Sequence, residues 1–396
     1  MDVICPELSL DSIPHDALWV HRRRYWDHFQ ELELPPQWKC PTHTAVPRKE
    51  AIEPLILPQC RSSCIVFVDG FYDEALSNIS ALPTSCVCLP MNEAIQTYGL
   101  ILQTRQSKEL KEEKEALAAL NGALQGGGLF FYVPPDINIH IPVQVLSILG
   151  SDGLMAPRLQ LFLGKRSTLD IVQTIHGRGV AIDVIDASLD AGARLQIIDD
   201  AAAQDACIYR FLRGVVRKDA SLYSFSYSQG AMTLHRSLCA ILSEEGASAE
   251  FKGLDDLHGI RQAHTRMMIE HRSPRCRSRQ HFKKILDDQS RSSCIGRVRI
   301  EKGAQKADTS QLFSHLLLSD TAVAKAQPNL EVFEGDVSAS HGATFSQPDP
   351  EELFYLRTRG LSAAAAKLLW MQGFCSELID AVKIPLMREK FREGLR

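Results

Sequence analysis

The 396-residue chain has no field of one charge sign. Its 44 basic and 48 acidic residues give a formal net charge of −4, which argues against nucleic acid or an anionic membrane as partner. No run approaches the ~20 consecutive apolar residues that cross a bilayer. Met1 to Leu18 contains Asp2, Glu7, Asp11 and Asp16 and no basic segment, so it does not read as a signal peptide. Eleven cysteines, an odd number without the dense, even spacing of a secreted disulfide framework, point to a reduced, cytoplasmic protein. Common catalytic signatures are missing as well. Gly164-Lys165 lacks the first glycine of a phosphate-binding loop, with Leu159 in its place. There is no Gly-x-Gly-x-x-Gly after a strand, no Gly-x-Ser-x-Gly, no His-Glu-x-x-His and no Cys-x-x-Cys.

Against these absences stands an ordinary composition, 45% hydrophobic and 23% charged, organised in three regions. Residues 1–135 are mixed. Trp19, Tyr25, Trp26, Phe29 and Leu32 predict a helix that ends before Pro35-Pro36, with His21-Arg22-Arg23-Arg24 as its solvated face. Ile65 to Val68, followed by Asp69-Gly70, predicts a short strand and a turn. Ser107 to Leu124 predicts a helix, charged first and then apolar, stopped by Gly126-Gly127-Gly128.

Residues 136–345 change pattern. Short β-type segments are separated by Gly, Asp, Ser and Ala, and some of them align as a repeat. Ser167 to Ile171, Ala193 to Ile197, Ala220 to Ser224 and Ala247 to Phe251 each begin with a small residue, commonly preceded by Gly or an acid. Their third residues, Leu169, Leu195, Leu222 and Ala249, recur every 26 to 27 positions. Between them lie alternating sets such as Leu159/Leu161/Leu163 and Leu234/Leu238/Leu242. A constant period with two or three short strands per repeat predicts a parallel β-solenoid with stacked inward residues, rather than a β-sandwich with irregular strand spacing. The match is imperfect at Ser224, an inward slot that other rungs fill with apolar side chains.

Residues 346–396 are helical. Asp349-Pro350-Glu351-Glu352 supplies an N-cap, a proline at the first helical position and an acidic first turn. That helix closes at Arg359-Gly360, and a second starts at Ser362. The second is apolar widely around its circumference and is expected to pack on the solenoid or on a partner. Capping the solenoid's end is the plainest role for this region.

Cys60, Cys64, Cys86 and Cys88 could ligate a metal, but their spacing is not that of a zinc ribbon and strand-borne cysteines are often small buried hydrophobes. His258, His264 and His271 surround a predicted strand. His264 and His271 are an odd number apart and would face opposite sides of it, so surface or satisfied histidines are expected. His341, in Ser338-Ala-Ser-His-Gly-Ala-Thr344, sits at the end of the solenoid, where a neutral imidazole could ligate iron.

Five blocks carry a resemblance: Gly303-Ala-Gln-Lys-Ala-Asp-Thr-Ser-Gln311, Leu316-Leu317-Leu318, Asn329-Leu330-Glu331, Asp336-Val-Ser-Ala-Ser-His-Gly-Ala-Thr344 and Leu353-Phe-Tyr-Leu-Arg-Thr-Arg-Gly-Leu361. In order and spacing they resemble the C-terminal signature of the SufB/SufD family of iron–sulfur cluster assembly proteins. Ala118 to Leu124, Val133-Pro134-Pro135, Ile141-Pro142-Val143 and Val66 to Gly70 extend the similarity over about residues 60 to 385. Ser340 and Gly342 stand where the SufB-like branch carries glutamates, so the resemblance is to the SufD branch.

It implies a mainly β fold, a right-handed parallel β-helix between an N-terminal mixed region and C-terminal helices. It implies a non-enzymatic scaffold subunit paired with a SufB-like subunit through the β-helix ends, with Leu353, Phe354, Tyr355, Arg357, Arg359 and Gly360 docking a SufC-like ABC ATPase. His341 aligns with a histidine facing the SufB-like partner, an interfacial ligand for a transient iron–sulfur cluster. No cofactor is expected in the isolated subunit, which could form a homodimer. SufD relatives can carry a cysteine two residues before that histidine, where this chain has Ala339. A competing class is a carbohydrate-active β-helix enzyme built on Asp183, Asp186, Asp190, Asp199 and Asp200 at turns between rungs. A left-handed acyltransferase helix needs a six-residue period that is not present. A third class is a purely structural homodimer.

Overall fold

The computed structural model describes residues 19–34, 53–99, 115–124, 128–201 and 206–395, together with 13, 102 and 203. Its centre is a parallel β-solenoid with helices at both chain ends. Each turn supplies one strand to each of two ladders. The first ladder stacks β1 (Cys64–Val68), β5 (Val143–Met155), the start of β7 (Thr168–Leu189), β8 (Arg194–Ala201), β10 (Ser221–Ser228), β12 (Ser248–Leu257), β14 (Arg277–Leu286), β16 (Ala307–Leu317) and β18 (Val337–Ser346). The second stacks β4 (Leu129–Val133), β6 (Arg158–Leu163), the end of β7, β9 (Ala206–Val216), β11 (Thr233–Leu242), β13 (Gln262–His271), β15 (Arg291–Ile300) and β17 (Val323–Val332). Two antiparallel strands, β2 (Phe71–Tyr72) and β3 (Val87–Pro90), flank β1 and β4. The ladders therefore begin upstream of residue 135.

The repeat read from the sequence is the observed register. Leu169 pairs with Leu195, Leu195 with Leu222 and Leu222 with Ala249. The column continues through Ser278, Thr309 and Ala339 with a period that lengthens to about 30 residues. The residue before each small starter is what makes the rung turn. Asp136, Arg166, Gly192, Asp219, Gly246, Arg275 and Lys306 all have φ between +56° and +73°, the left-handed region that Gly and Asp enter most easily. Each donates its N–H to a carbonyl of the next turn, as Gly192 N does to Lys218 O at 2.8 Å. The following Ser167, Ala193, Ala220, Ala247, Cys276 and Ala307 are buried because a tight corner leaves no room for a larger side chain.

Helices cover both outer faces. α1 (Trp19–Glu31) packs on α3 (Ala116–Leu124), and the pair lies on Val180, Ile182, Val184, Tyr209 and Phe211 of the second ladder. A further helix, α2, spans residues 91–99. Residues 107–114 of the expected longer helix lie outside the described residues. Arg22 is not solvated as expected from the basic run: it is buried and donates to Ala123 O at 3.3 Å, while Arg23 and Arg24 are exposed. At the other end, α4 (Pro350–Thr358) is followed by α5 (Ala363–Asp380) and α6 (Pro385–Gly394). α5 and α6 bury Met371, Cys375, Leu378, Ile379, Met387 and Phe391 against Phe225, Tyr227, Leu254 and Ile285. They lie along the first ladder's flank, so the expected end cap is not what these helices form.

The interior holds an unanticipated feature. Asp183, Asp186, Asp199 and Asp200 lie within β7 and β8 and are buried, not placed at turns; of that set Asp190 alone sits at a turn. Arg158 and Arg213 both pair with Asp186, at 2.8 and 2.6 Å. A longer chain of alternating charge runs Asp183–Arg210–Asp199–Arg236–Asp255–Lys284 across six strands. Burial alone would raise the Asp255 carboxyl, yet the Arg236 and Lys284 charges hold it below the usual range.

Candidate functional site

The last rung differs from every rung beneath it. Among the described residues β17 pairs with β15 alone and β18 with β16 alone, so each leaves one backbone edge free. Pro328 in β17 suits such an edge, since it has no N–H to give a further strand. The inward columns also end here uncovered. Ala339, His341 and Ala343 occupy inward slots, stacked on Thr309, Gln311 and Phe313, but are exposed because no rung follows. Around them lie Phe345 at 51%, Phe333 at 57% and Val323 at 49% exposure. Free strand edges beside exposed large apolar side chains mark an interaction surface. Phe345 stacks on His315 with ring centroids 5.1 Å apart. His315 is buried, which pushes its imidazole down to about 3.

The second surface is α4. Its N-cap is the expected one: the Asp349 carboxylate accepts from Glu351 N at 2.8 Å, and Gly360 beyond the helix has φ +93°. Ser362 caps α5 through its hydroxyl, accepting from Ala365 N at 3.2 Å. No residue of α4 is buried. Leu353 is half-buried, whereas Phe354, Tyr355, Arg357, Arg359 and Gly360 are exposed. The Arg359 guanidinium lies 5.0 Å from the Tyr355 ring centroid and donates to its hydroxyl at 3.2 Å. Between α4 and α5 opens a cleft of about 710 Å³, with Leu356, Leu369, Trp370 and Phe374 as apolar walls and Asp349, Glu351 and Glu352 beside them. Trp370 Nε1 donates to Glu352 Oε2 at 2.5 Å. Trp370 and the cleft were not anticipated; the recurrence of Trp370, Gly373 and Phe374 on one helical face was the available signal.

The remaining expected sites resolve locally. Cys60 and Cys64 are buried, with thiols pushed up to about 11 and about 12 by burial, and Cys60 Sγ donates to Pro142 O. His264 and His271 fall on opposite faces of β13 and are bonded to Ser293 and Ser278, each at 2.8 Å. His258 pairs with Asp256 at 2.9 Å. No group of three or more His, Cys, Asp and Glu side chains suited to a metal ion occurs among the described residues. No helix among them is long and apolar enough to cross a membrane.

The architecture defines a class: a two-ladder parallel β-solenoid, helix-covered on its flanks and bare at its last rung. Residues 147–374 match the SufBD core domain of the SUF system for iron–sulfur cluster assembly, and residues 50–145 match the SufBD N-terminal region. The chain belongs to the SufBD family. It is 32% identical to the chloroplastic protein ABCI7 of Arabidopsis thaliana over 98% of this chain and 88% of that one. It is 24% identical to an iron–sulfur cluster assembly SufBD family protein of Synechocystis, over 87% of this chain and 79% of the relative. With the iron–sulfur cluster assembly protein SufD of Escherichia coli it shares 30% identity over 43% of this chain and 40% of the relative.

Proposed function

We propose that this chain is the SufD-like half of a heterodimeric scaffold for iron–sulfur cluster assembly and catalyses no bond-making reaction on its own. Its last rung pairs with a SufB-like subunit, strand edge to strand edge, and His341 offers an imidazole to the nascent cluster at that interface. One imidazole leaves the other ligand positions to the partner, and Ala339 beside it supplies no thiol. The α4–α5 cleft docks a SufC-like ABC ATPase, whose nucleotide-driven movement reaches the solenoid through α5 and α6. An apolar floor beside three carboxylates suits an amphipathic element with basic flanks. The work is done in a reducing compartment such as the cytoplasm, consistent with the nine free cysteines among the described residues.

The observation that carries this reading is the bare terminal rung with His341 in an uncovered inward column. It also limits the carbohydrate-enzyme alternative, because Asp183, Asp186, Asp199 and Asp200 are buried in ion pairs and offer no open groove of carboxylates. Co-expression with the SufB-like and SufC-like proteins of the same source, followed by size-exclusion chromatography with mass determination, is the test. A stable assembly of all three supports the scaffold role. A chain that stays alone at concentrations where such assemblies hold sinks the role and leaves the fold untouched.

A further inference from the structure

His341 ends one inward column of the first ladder. In register that column runs Val143, Ile171, Ile197, Ser224, Phe251, Gln280, Gln311 and His341. It is mostly apolar until its last three slots, which hold two amides and an imidazole. Both glutamines are buried. Gln311 Nε2 donates to Gln280 Oε1 at 2.8 Å, and Gln280 Nε2 points to the backbone oxygen of Arg297 at 3.4 Å. Donors in this relay all point away from the open end, and Gln311 Oε1 is left buried with no partner. An unpaired buried carbonyl costs free energy, so its place in the slot stacked under His341 asks for a physical reason. The facing strand makes room for the relay. A Cβ on Gly296 of β15 would sit closer than 3.0 Å to Gln280 Oε1, Gln311 Nε2 and the Phe313 ring. Gly296 is not among the positive-φ glycines, so space rather than backbone conformation calls for glycine there.

We propose that Gln311 is a positioning residue for His341: the imidazole is not bonded to Gln311 in the rotamer of this structure, and turning it towards the rung beneath lets Oε1 accept a ring N–H and hold one tautomer, leaving the other nitrogen's lone pair to face out across the terminal rung. This rests on the reading of His341 as an interfacial ligand, but it concerns contacts within this chain alone. A neutral imidazole donates at one nitrogen and accepts at the other, and the partner of the first decides which nitrogen is free to ligate. The relay does this without a charge. Gln280 Oε1 requires a donor from Gln311, so the Gln311 amide is held with its oxygen free. Gly296 keeps that pair from being displaced.

The test is the tautomer itself, read from ring-15N shifts in the full chain labelled at histidine, above the pH at which the rings protonate, with H341A to assign the resonance. Wild type is expected to show His341 in a single tautomer. Q311L removes the acceptor and G296A pushes the amide pair aside; each is expected to give the averaged signal of both tautomers. Q280E keeps an acceptor for Gln311 Nε2 and is expected to retain the single tautomer, which a general loosening of the rung would not do. A mixed tautomer in wild type overturns the proposal even if no variant folds, and so does a single tautomer that survives in Q311L. Co-purification of the wild-type chain with a SufB-like subunit is scored separately. Its failure removes the interface reading and leaves the Gln311–His341 contact to stand or fall on the spectra.

Discussion

The middle rungs and the last rung are built from one repeat and live in different solvents. Around β8 to β14 each inward residue is covered by the next rung, and helices pack on the outer faces of β9, β10, β12 and β14, so the slots hold Leu, Ile and Phe or charges that neutralise one another. At β18 the same inward slots hold Ala339, His341, Ala343 and Phe345, all exposed, and exposed Phe333 follows β17. A repeat protein with a polar terminal cap needs no partner there; this one ends in free backbone edges and apolar side chains instead. The difference teaches that the body of the solenoid is specified for stability and its last turn for contact.

The comparison breaks first, if it breaks, at the buried charges. Arg236 lies between Asp199 and Asp255 with no exposed side-chain surface. Arg236→Ala leaves Asp199 with Arg210 alone and Asp255 with Lys284 alone in the interior, and removing one member of a buried network typically costs ~3–5 kcal/mol. Urea unfolding monitored by circular dichroism measures it. A loss under ~1 kcal/mol would mean that water reaches this network, and the middle rungs would then not be closed.

A paired substitution sharpens the contrast by packing alone. Phe282 is fully buried and faces Gly253, where a Cβ would collide with its ring, whereas Phe345 is 51% exposed. Phe282→Ala is expected to cost ~3–5 kcal/mol as a core truncation. Phe345→Ala is expected to cost under ~1 kcal/mol in the isolated chain but to weaken association with the SufB-like subunit. Equal costs at both sites would erase the distinction between core and contact surface.

A smaller effect is expected with pH. Burial holds His271 at about 4, below its ordinary 6.5. A depressed histidine favours the fold in its neutral form. Its contribution is complete above about pH 6.5 and is lost as pH falls towards 4, by up to ~1.4 kcal/mol per pH unit. Replacing His271 with Asn should flatten the stability curve in that window by as much as one proton's worth of slope. An unchanged slope would show that His271 is hydrated in the folded chain.

The body was largely legible in the sequence and the end was not, for a physical reason. Small residues after Arg166, Gly192, Asp219 and Gly246 mark the left-handed corner of each rung, and a corner that must be tight restricts residue choice enough to be seen. Past Ala249 the period lengthens and the column turns to Ser278, Thr309 and Ala339, so periodicity alone loses the trail. The ion pairs were hidden because Asp and Arg on a strand look like solvated positions. Their one visible trace is spacing: Asp183 and Arg210, like Asp186 and Arg213, are 27 residues apart, one rung. Burial of Arg22 was lost for the same reason, since a basic run does not say which member turns inward. The resemblance, not the repeat, singled out His341. Only the register shows that it belongs to an inward column left open.

That register makes the smallest stability effect the most informative one. His341 is exposed, and no strand among the described residues stacks on it, so His341→Ala should change the unfolding free energy of the isolated chain by less than ~0.5 kcal/mol. If the proposed pairing holds, the same change in the assembled complex should leave subunit association intact, because strand edges and the Phe333 and Phe345 side chains would carry the contact, while the cluster retained after anaerobic reconstitution falls. Iron and sulfide content per complex, set beside the elution mass, separates the two. If association is lost together with the cluster, His341 is an element of the interface. If neither changes, the imidazole is a bystander at the rim and the ligands lie wholly on the partner. Loss of cluster with association unchanged is the outcome that an inward slot left open for chemistry requires.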